Sequence, residues 1–221
     1  MGRVRLNVPA IATPGKFITL EGGEGAGKST QVQRLVATMS AAGLKCIATR
    51  EPGGAPAAEE IRRLLVEGAV DRWQPMSEVL LHNAARIEHL AATVHPALEG
   101  GSWVICDRFF DSTLAYQGYG HGLDTAAIAN LHWLLYKDFK PDLTLVLDLD
   151  LQEGLKRASG RSGGEDRYER MGKDFHTRLR RGFLEIAEVE PERCAVIDAT
   201  GSEDAVHERI IATVRNRLQI L

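Results

Sequence analysis

Gly22-Gly23-Glu24-Gly25-Ala26-Gly27-Lys28-Ser29 is the stretch that decides the fold, and it fits the pattern G-x-x-x-x-G-K-[ST]. It follows the apolar run 17–20 and opens a segment whose apolar residues recur at helical spacing. A glycine-rich loop between a strand and a helix lets successive backbone N–H groups converge on an anion, and the helix N-terminus adds partial positive charge. The stretch therefore predicts a phosphate-binding loop.

Residue types within this loop predict separate roles in binding a nucleoside triphosphate. Lys28 is expected to reach the β- and γ-phosphates, and the Ser29 hydroxyl is expected to bind Mg²⁺. The predicted ATP-binding residues are those of the loop and of the helix start: Gly22, Gly23, Glu24, Gly25, Ala26, Gly27, Lys28, Ser29 and Thr30. The motif predicts nucleotide binding, but it does not identify the second substrate.

Two apolar runs end in an aspartate that could complete the metal site. Asp107 follows residues 103–106, and Asp148 follows residues 143–147. Asp148 could instead cap the next helix. We favour Asp107 because Arg108 follows it at once, which puts an acid and a base at the edge where α/β sheets bind ligands.

Apolar runs alternate with helical patterns along the whole chain. The alternation predicts an α/β protein with the P-loop NTPase fold, built on a five-stranded, doubly wound parallel sheet flanked by helices. Strands are expected at 17–20, 44–49, 103–106, 143–147 and 194–197. A long helix opens at Pro75, and its apolar residues are expected to face inward: Met76, Val79, Leu80, Ile87 and Leu90. Residues 16–221 are expected to form a single domain after an N-terminal tail, residues 1–15.

Composition argues against several classes of function. The 221 residues include 27 basic and 30 acidic side chains, for a net charge of −3, which favours neither a nucleic-acid nor a membrane partner. No apolar stretch approaches the roughly 18 residues of a membrane span. The three cysteines lack metal-ligand spacing and are expected to be reduced thiols, so a cytoplasmic location is predicted. An Asn-Lys-x-Asp guanine motif, expected in a GTP-dependent switch, is absent from the sequence.

Short motifs along the chain bear on the identity of the second substrate. They are Leu20-Glu21-Gly22, Arg50-Glu51-Pro52-Gly53-Gly54, Asp107-Arg108-Phe109, Ser112-Thr113, Tyr116-Gln117-Gly118, Lys140-Pro141-Asp142 and Asp166-Arg167-Tyr168-Glu169. Together and in this order, they resemble the thymidylate kinase family in its bacterial form. The resemblance implies transfer of the γ-phosphoryl group of ATP to dTMP with Mg²⁺, by a homodimer. A kinase for another nucleoside monophosphate is the alternative within the enzyme class.

The resemblance also implies roles for residues that match the family's motifs. Arg86 and Arg108 would hold the dTMP 5′-phosphate, since a guanidinium pairs its fork of donors with phosphate oxygens. The remaining implied substrate residues are Glu24 near the sugar 3′-hydroxyl, Ser112, Thr113 and Tyr116 along the thymine and deoxyribose, and Arg50 and Gln117. Two positions depart from the family. His82 stands where the family stacks a phenylalanine on thymine, and we expect it to stack as a flat ring. Ala55 replaces the threonine after Gly54.

A basic, glycine-bearing segment, residues 157–170, is predicted to be a small mobile lid. It carries Arg157, Arg161, Arg167 and Arg170. The phosphate loop has no arginine, so the resemblance to the lid-arginine type implies that Arg161 and Arg167 join Lys28 and Asp107 as catalytic residues. The helix with Leu131, Trp133, Leu134, Leu135 and Tyr136 would be either the dimer interface or a core helix.

Overall fold

The fold is built on one parallel sheet whose five strands run in the order β2-β3-β1-β4-β5. The computed structural model describes residues 14–158 and 167–220. The strands are β1 Phe17–Glu21, β2 Cys46–Arg50, β3 Trp103–Asp107, β4 Leu143–Asp148 and β5 Cys194–Asp198. All four neighbouring pairs are parallel, which confirms the predicted sheet. Each strand runs one residue beyond its predicted end, to a charged residue.

Helices cover both faces of the sheet. The α-helices of the described residues are α1 Lys28–Ala41, α2 Pro56–Val66, α3 Pro75–His89, α4 His95–Glu99, α5 Phe110–Thr113, α6 Thr125–Tyr136, α7 Leu151–Ala158, α8 Lys173–Val189 and α9 Glu203–Leu218. Two π-helical segments, Leu90–Val94 and Leu114–Gly120, extend α3 and α5. None of the helices between residues 14 and 158 or between 167 and 220 is long and apolar enough to cross a membrane.

Alternating strand residues divide the core between the two faces. Ile18 and Leu20 are fully buried in the cluster that also contains Leu35 of α1 and Ile210 of α9. On the other face, Phe17 packs edge-on against Phe109, with ring centroids 5.0 Å apart. Burial on both faces explains why the central strands β1, β3 and β4 appear as continuous apolar runs in the sequence.

The predicted inward face of α3 is partly wrong. Val79 and Leu90 are buried, but Met76, Leu80 and Ile87 are 43%, 54% and 44% exposed. The buried side chains of the same helix are mostly polar: Glu78, Asn83, Arg86 and His89. The helix turns its polar stripe toward the carboxyl edge of the sheet, because these side chains find hydrogen-bond partners there.

Candidate active site

The phosphate loop spans residues 22–27, between the end of β1 and the start of α1. Lys28 Nζ donates hydrogen bonds to the carbonyl oxygens of Gly22 and Gly23, at 3.1 and 2.7 Å. Burial, together with the charge of Arg108, lowers the pKa of Lys28 to about 8. The loop thus holds the ammonium group against its own backbone carbonyls.

Helix α7 packs directly on the backbone of this loop. Gly25 has a φ of 70°, and a Cβ atom there would lie 2.0 Å from the carbonyl oxygen of Gly154 in α7. A Cβ atom on Gly154 would in turn lie 2.6 Å from the carbonyl oxygen of Glu24. Only glycine at both positions permits this contact, so the position of α7 and the path of the loop depend on each other.

Ser29 and Asp107 meet where the sequence predicts a metal site. The Ser29 hydroxyl donates to Asp107 Oδ2 at 2.5 Å. The Asp148 carboxylate instead accepts two hydrogen bonds from Arg180, at 2.7 and 2.9 Å. Asp148 does not cap α7 either, because Asp150 accepts from the backbone N–H of Gln152. Of the two aspartates, Asp107 is thus the one bonded to Ser29.

Glu24 joins the phosphate loop to the neighbouring cleft. Its Oε1 accepts from Arg108 Nη2 at 3.1 Å and from the Tyr116 hydroxyl. Burial alone would raise the pKa of Glu24, but the charges of Arg108 and Lys28 lower it to about 2. Arg108 Nη1 also donates to the Gly22 carbonyl at 2.9 Å. Lys28 and Arg108 therefore converge on the same carbonyl oxygen.

Arg86 is buried with one nitrogen left over. Its Nε donates to Glu51 Oε2 at 2.7 Å, and its Nη2 donates to the Thr113 hydroxyl at 3.1 Å. Among residues 14–158 and 167–220, no atom accepts a hydrogen bond from its buried Nη1. The Tyr136 hydroxyl lies beside this guanidinium, but it is not within hydrogen-bond geometry of Nη1, and its own hydrogen is donated to the Asn83 carbonyl. A buried cationic donor without a partner fits an anionic ligand, because leaving it unpaired costs free energy.

A cleft brings together six of the predicted substrate residues: Glu24, His82, Arg86, Arg108, Ser112 and Tyr116. Thr113 and Gln117 are fully buried behind its wall, where Gln117 donates to Glu78 at 2.8 Å. Arg50 does not line this cleft, and it pairs with Glu59 at 2.9 Å in an exposed position. The Arg50 side chain thus extends from the end of β2 toward α2, and its contact with substrate stays a prediction.

Arg167 has a different role from the mobile cation that we expected. Its side chain is fully buried, pairs with Glu78 and donates to the carbonyl oxygens of Leu65, Ala69 and Val70. This guanidinium fastens the end of the 157–170 segment to the loop between α2 and α3. Arg157 pairs with Glu153 within α7. Arg161 and most of the predicted lid lie outside the described residues.

Sequence reasoning missed four buried or half-buried residues at the site: Glu51, Glu78, His89 and Tyr168. Glu51 and Tyr168 lie inside quoted motifs, but no role was assigned to them. Glu78 and His89 share a face of α3 with His82 and Arg86, so the helical spacing of 78, 82, 86 and 89 was the available signal. The apolar residues of α3 favoured a different inward face, so this polar spacing was not recognised.

Comparisons with known proteins show which proteins this chain is similar to. A family model described as thymidylate kinase matches residues 20–210. A protein of Caulobacter vibrioides named thymidylate kinase is 53% identical over 93% of this chain and 99% of its own length. A protein of Rhizorhabdus wittichii with the same name is 48% identical over 93% of this chain and 99% of its own length. A crystal structure of thymidylate kinase from Ehrlichia chaffeensis is 36% identical, covers 91% of this chain and 100% of its own, and has a TM-score of 0.74.

Proposed function

The chain belongs to the thymidylate kinase family and phosphorylates dTMP with ATP, and on that premise we propose how its residues divide the work. The phosphate loop, residues 22–27 with Lys28, Ser29 and Thr30, binds the ATP phosphates. The cleft beside it binds dTMP. A dTMP phosphate oxygen attacks the γ-phosphorus as the bond to the ADP oxygen breaks, so the site needs placement and charge and no strong base.

The convergence of Lys28 and Arg108 on the Gly22 carbonyl is the observation that carries this proposal. Lys28 belongs to the ATP side, and Arg108 belongs to the cleft that contains Arg86. One oxygen thus brings a cation of each phosphate site together. Two phosphate groups held by these cations would be neighbours, as direct transfer requires.

The arginines of the cleft give the acceptor phosphate its place. Nη1 of Arg86 is the donor left for it, while Glu51 and Thr113 hold the other two nitrogens. Glu24, anionic at neutral pH, keeps Arg108 in position and lies toward the sugar. His82, Ser112 and Tyr116 line the remaining cleft, where we place the deoxyribose and thymine.

Ser29 and Asp107 are the residues that would hold Mg²⁺. Their oxygens suit a hard cation, and they already lie within hydrogen-bond distance of each other. In residues 14–158 and 167–220, His, Cys, Asp and Glu side chains form no cluster of three or more that could hold a metal. Mg²⁺ keeps waters and takes phosphate oxygens as ligands, so it needs few oxygens from the protein. When bound, the ion would neutralise charge on the β- and γ-phosphates.

We also propose a role for Arg161, a homodimer and a cellular location. Arg161 supplies transition-state charge from the lid, because the phosphate loop has no arginine. The protein forms a homodimer through the exposed apolar residues of α3 and α6, two helices that are in contact where the Tyr136 hydroxyl donates to the Asn83 carbonyl.

The proposed location of the protein is the cytoplasm. This proposal is supported by the three free cysteines.

Exchanging Arg86 for lysine tests the acceptor site. Arg86→Lys keeps the positive charge, but a single ammonium cannot both pair with Glu51 and present a forked donor to phosphate. We expect the dTMP KM to rise about tenfold or more and the ATP KM to stay within a few-fold, measured by steady-state kinetics. An equal rise in both KM values would contradict the assignment.

The same assay separates the kinase from the remaining alternatives. ADP release should require dTMP, and a panel of nucleoside monophosphates should rank dTMP first. Release of ADP at the same rate without an acceptor would indicate an ATPase or a nucleotide switch instead.

A further inference from the structure

A chain of buried hydrogen bonds lies behind Arg86, and the proposed reaction does not use it directly. Thr49 Oγ1 and His89 Nε2 lie 2.7 Å apart, and His89 Nδ1 and Glu51 Oε1 lie 2.9 Å apart. Glu51 Oε2 then accepts from Arg86 Nε at 2.7 Å. His89 is fully buried, and Glu51 and Arg86 are 5% and 1% exposed. The chain thus runs from the end of β2 to the residue that faces the cleft.

The direction of these hydrogen bonds fixes the orientation of the guanidinium. An ionised carboxylate only accepts, so His89 Nδ1 must donate to Glu51. One Glu51 oxygen is therefore held by His89, and the other holds Arg86. A guanidinium is planar, so fixing Nε by Glu51 and Nη2 by Thr113 also fixes the direction of Nη1. The Phe109 ring, 4.9 Å from the Arg86 Cζ, supports the same plane.

The loop after β2 is closed directly over His89. Gly54 has a φ of 80°, and a Cβ atom there would lie 2.6 Å from His89 Nε2 and 2.4 Å from Thr49 Oγ1. Thr93 donates to the Gly54 carbonyl at 2.7 Å and closes the same loop from the π-helical segment. A side chain at position 54 would displace the imidazole. His89 therefore locks the loop that carries Glu51 to the helix that carries Arg86.

We propose that His89 is a positioning residue for the acceptor phosphate, acting through Glu51 to aim Nη1 of Arg86 into the cleft. The inference rests on the proposed role of Arg86 in binding dTMP. A histidine that merely filled the core would affect stability alone, whereas a positioning histidine also affects the dTMP KM. The two roles are therefore separable by kinetics.

Two amide variants of His89 separate its two contacts. His89→Asn places an amide nitrogen near the position of Nδ1 and can still donate to Glu51, whereas His89→Gln reaches the position of Nε2 and loses that donor. We expect His89→Gln to raise the dTMP KM about tenfold or more, with the ATP KM unchanged. His89→Asn should stay within a few-fold of the parent protein. Each variant is assayed well below its melting temperature.

A double-mutant cycle tests whether His89 acts through Arg86. In Arg86→Lys/His89→Gln, the dTMP KM should be no higher than in Arg86→Lys alone. Multiplied effects would overturn the inference, as would equal dTMP KM values for His89→Gln and His89→Asn. An unchanged dTMP KM in Arg86→Lys would overturn the proposed acceptor site as well.

Thr49→Val provides the test if His89→Gln does not fold. This variant keeps the volume of the side chain and removes only the partner of Nε2. We expect a rise of a few-fold in the dTMP KM and an unchanged ATP KM. An unchanged dTMP KM in Thr49→Val would then overturn the proposal.

Discussion

Single residues at this site are tuned by a small group of buried charges. Glu24 lies between Lys28 and Arg108, and the two cations outweigh the effect of burial on its pKa. Glu21, which accepts from the Phe109 backbone N–H and the Ser112 hydroxyl, shows the opposite balance. Burial and the charge of Asp111 raise its pKa to about 8. The pKa values of two carboxyl groups three residues apart are thus shifted in opposite directions, because Glu21 lies beside the charge of Asp111 whereas Glu24 lies beside both Arg108 and Lys28.

His82 is expected to remain neutral throughout the working pH range. Burial, together with the charges of Arg86, Arg108 and Arg167, lowers its pKa to about 3. A lowered pKa means that protonation begins only far below pH 5.5, so this imidazole carries no charge between pH 5.5 and 7.5. His82→Phe should therefore retain the parent profile of kcat/KM for dTMP across this range. Loss of a pH-dependent limb in the variant would show that His82 titrates during the reaction.

At the scale of elements, α3 serves two surfaces at once. It presents Glu78, His82, Arg86 and His89 to the site while exposing Met76, Leu80 and Ile87. The hydrogen-bond partners of its polar stripe come from β2 and the loop after it, from the end of the 157–170 segment and from the π-helical segment 114–120. An apolar stripe on such a helix therefore does not mark the face that packs inside the monomer.

Arg167→Ala should destabilise the fold rather than slow the chemical step. Removing this guanidinium leaves Glu78 buried without its cation, which typically costs about 3–5 kcal/mol. Unfolding in urea measures the change. Arg181→Ala is the matched control, since Arg181 forms an exposed pair with Glu185 and should contribute less than about 1 kcal/mol. Parent stability with a low kcat in Arg167→Ala would restore Arg167 as a catalytic cation.

Gly154→Ala tests the contact between α7 and the phosphate loop. The added methyl group would lie 2.6 Å from the Glu24 carbonyl oxygen, so the loop or the helix must move. Alanine favours the helix, so stability should not fall for local reasons. A displacement near 1 Å predicts a loss in kcat of about ten- to hundredfold. Gly172→Ala, where a methyl group meets open space, should retain parent kcat. Equal rates in both variants would contradict the coupling.

At the scale of the whole molecule, two neighbouring helices expose apolar surface. Trp133 and Leu134 of α6 are 57% and 61% exposed, and Tyr136 of the same helix reaches Asn83 of α3, the helix that exposes Met76, Leu80 and Ile87. Contiguous apolar surface on a globular protein often marks an interface. From the sequence, α6 could be either an interface helix or a core helix. The exposure of Trp133 and Leu134 supports the proposed interface.

Leu134→Glu should dissociate the proposed homodimer. A carboxylate placed on both copies of a shared apolar face must lose its hydration or repel its partner. Light scattering after size exclusion should give twice the chain mass for the parent protein and a single chain mass for the variant. Ala212→Glu is the control, because Ala212 is exposed on α9, which packs with α1 on the face of the sheet opposite to the cluster that contains Tyr136 of α6. A monomeric parent protein, or dissociation by both variants, would contradict the interface.

The sequence by itself determined the sheet, the phosphate loop and the family. Strand and loop patterns are local, and the loop motif has a fixed spacing because consecutive N–H groups must surround one phosphate. Positions such as Arg86, Arg108 and Tyr116 could be assigned to the cleft because the family's motifs fix their order along the chain. Polar strand ends were missed by one residue, since a ladder continues wherever its neighbour offers hydrogen-bond partners.

The tertiary structure alone decided which charges are paired and which are left for ligands. Arg167 and Arg86 are both buried arginines, yet every nitrogen of Arg167 has a partner and Nη1 of Arg86 has none among the described residues. His89, Glu51 and Thr49 come together from two elements, at separations of 38 and 40 residues. Hydrogen-bond partners at such separations follow from packing in three dimensions, which no local pattern in the sequence encodes.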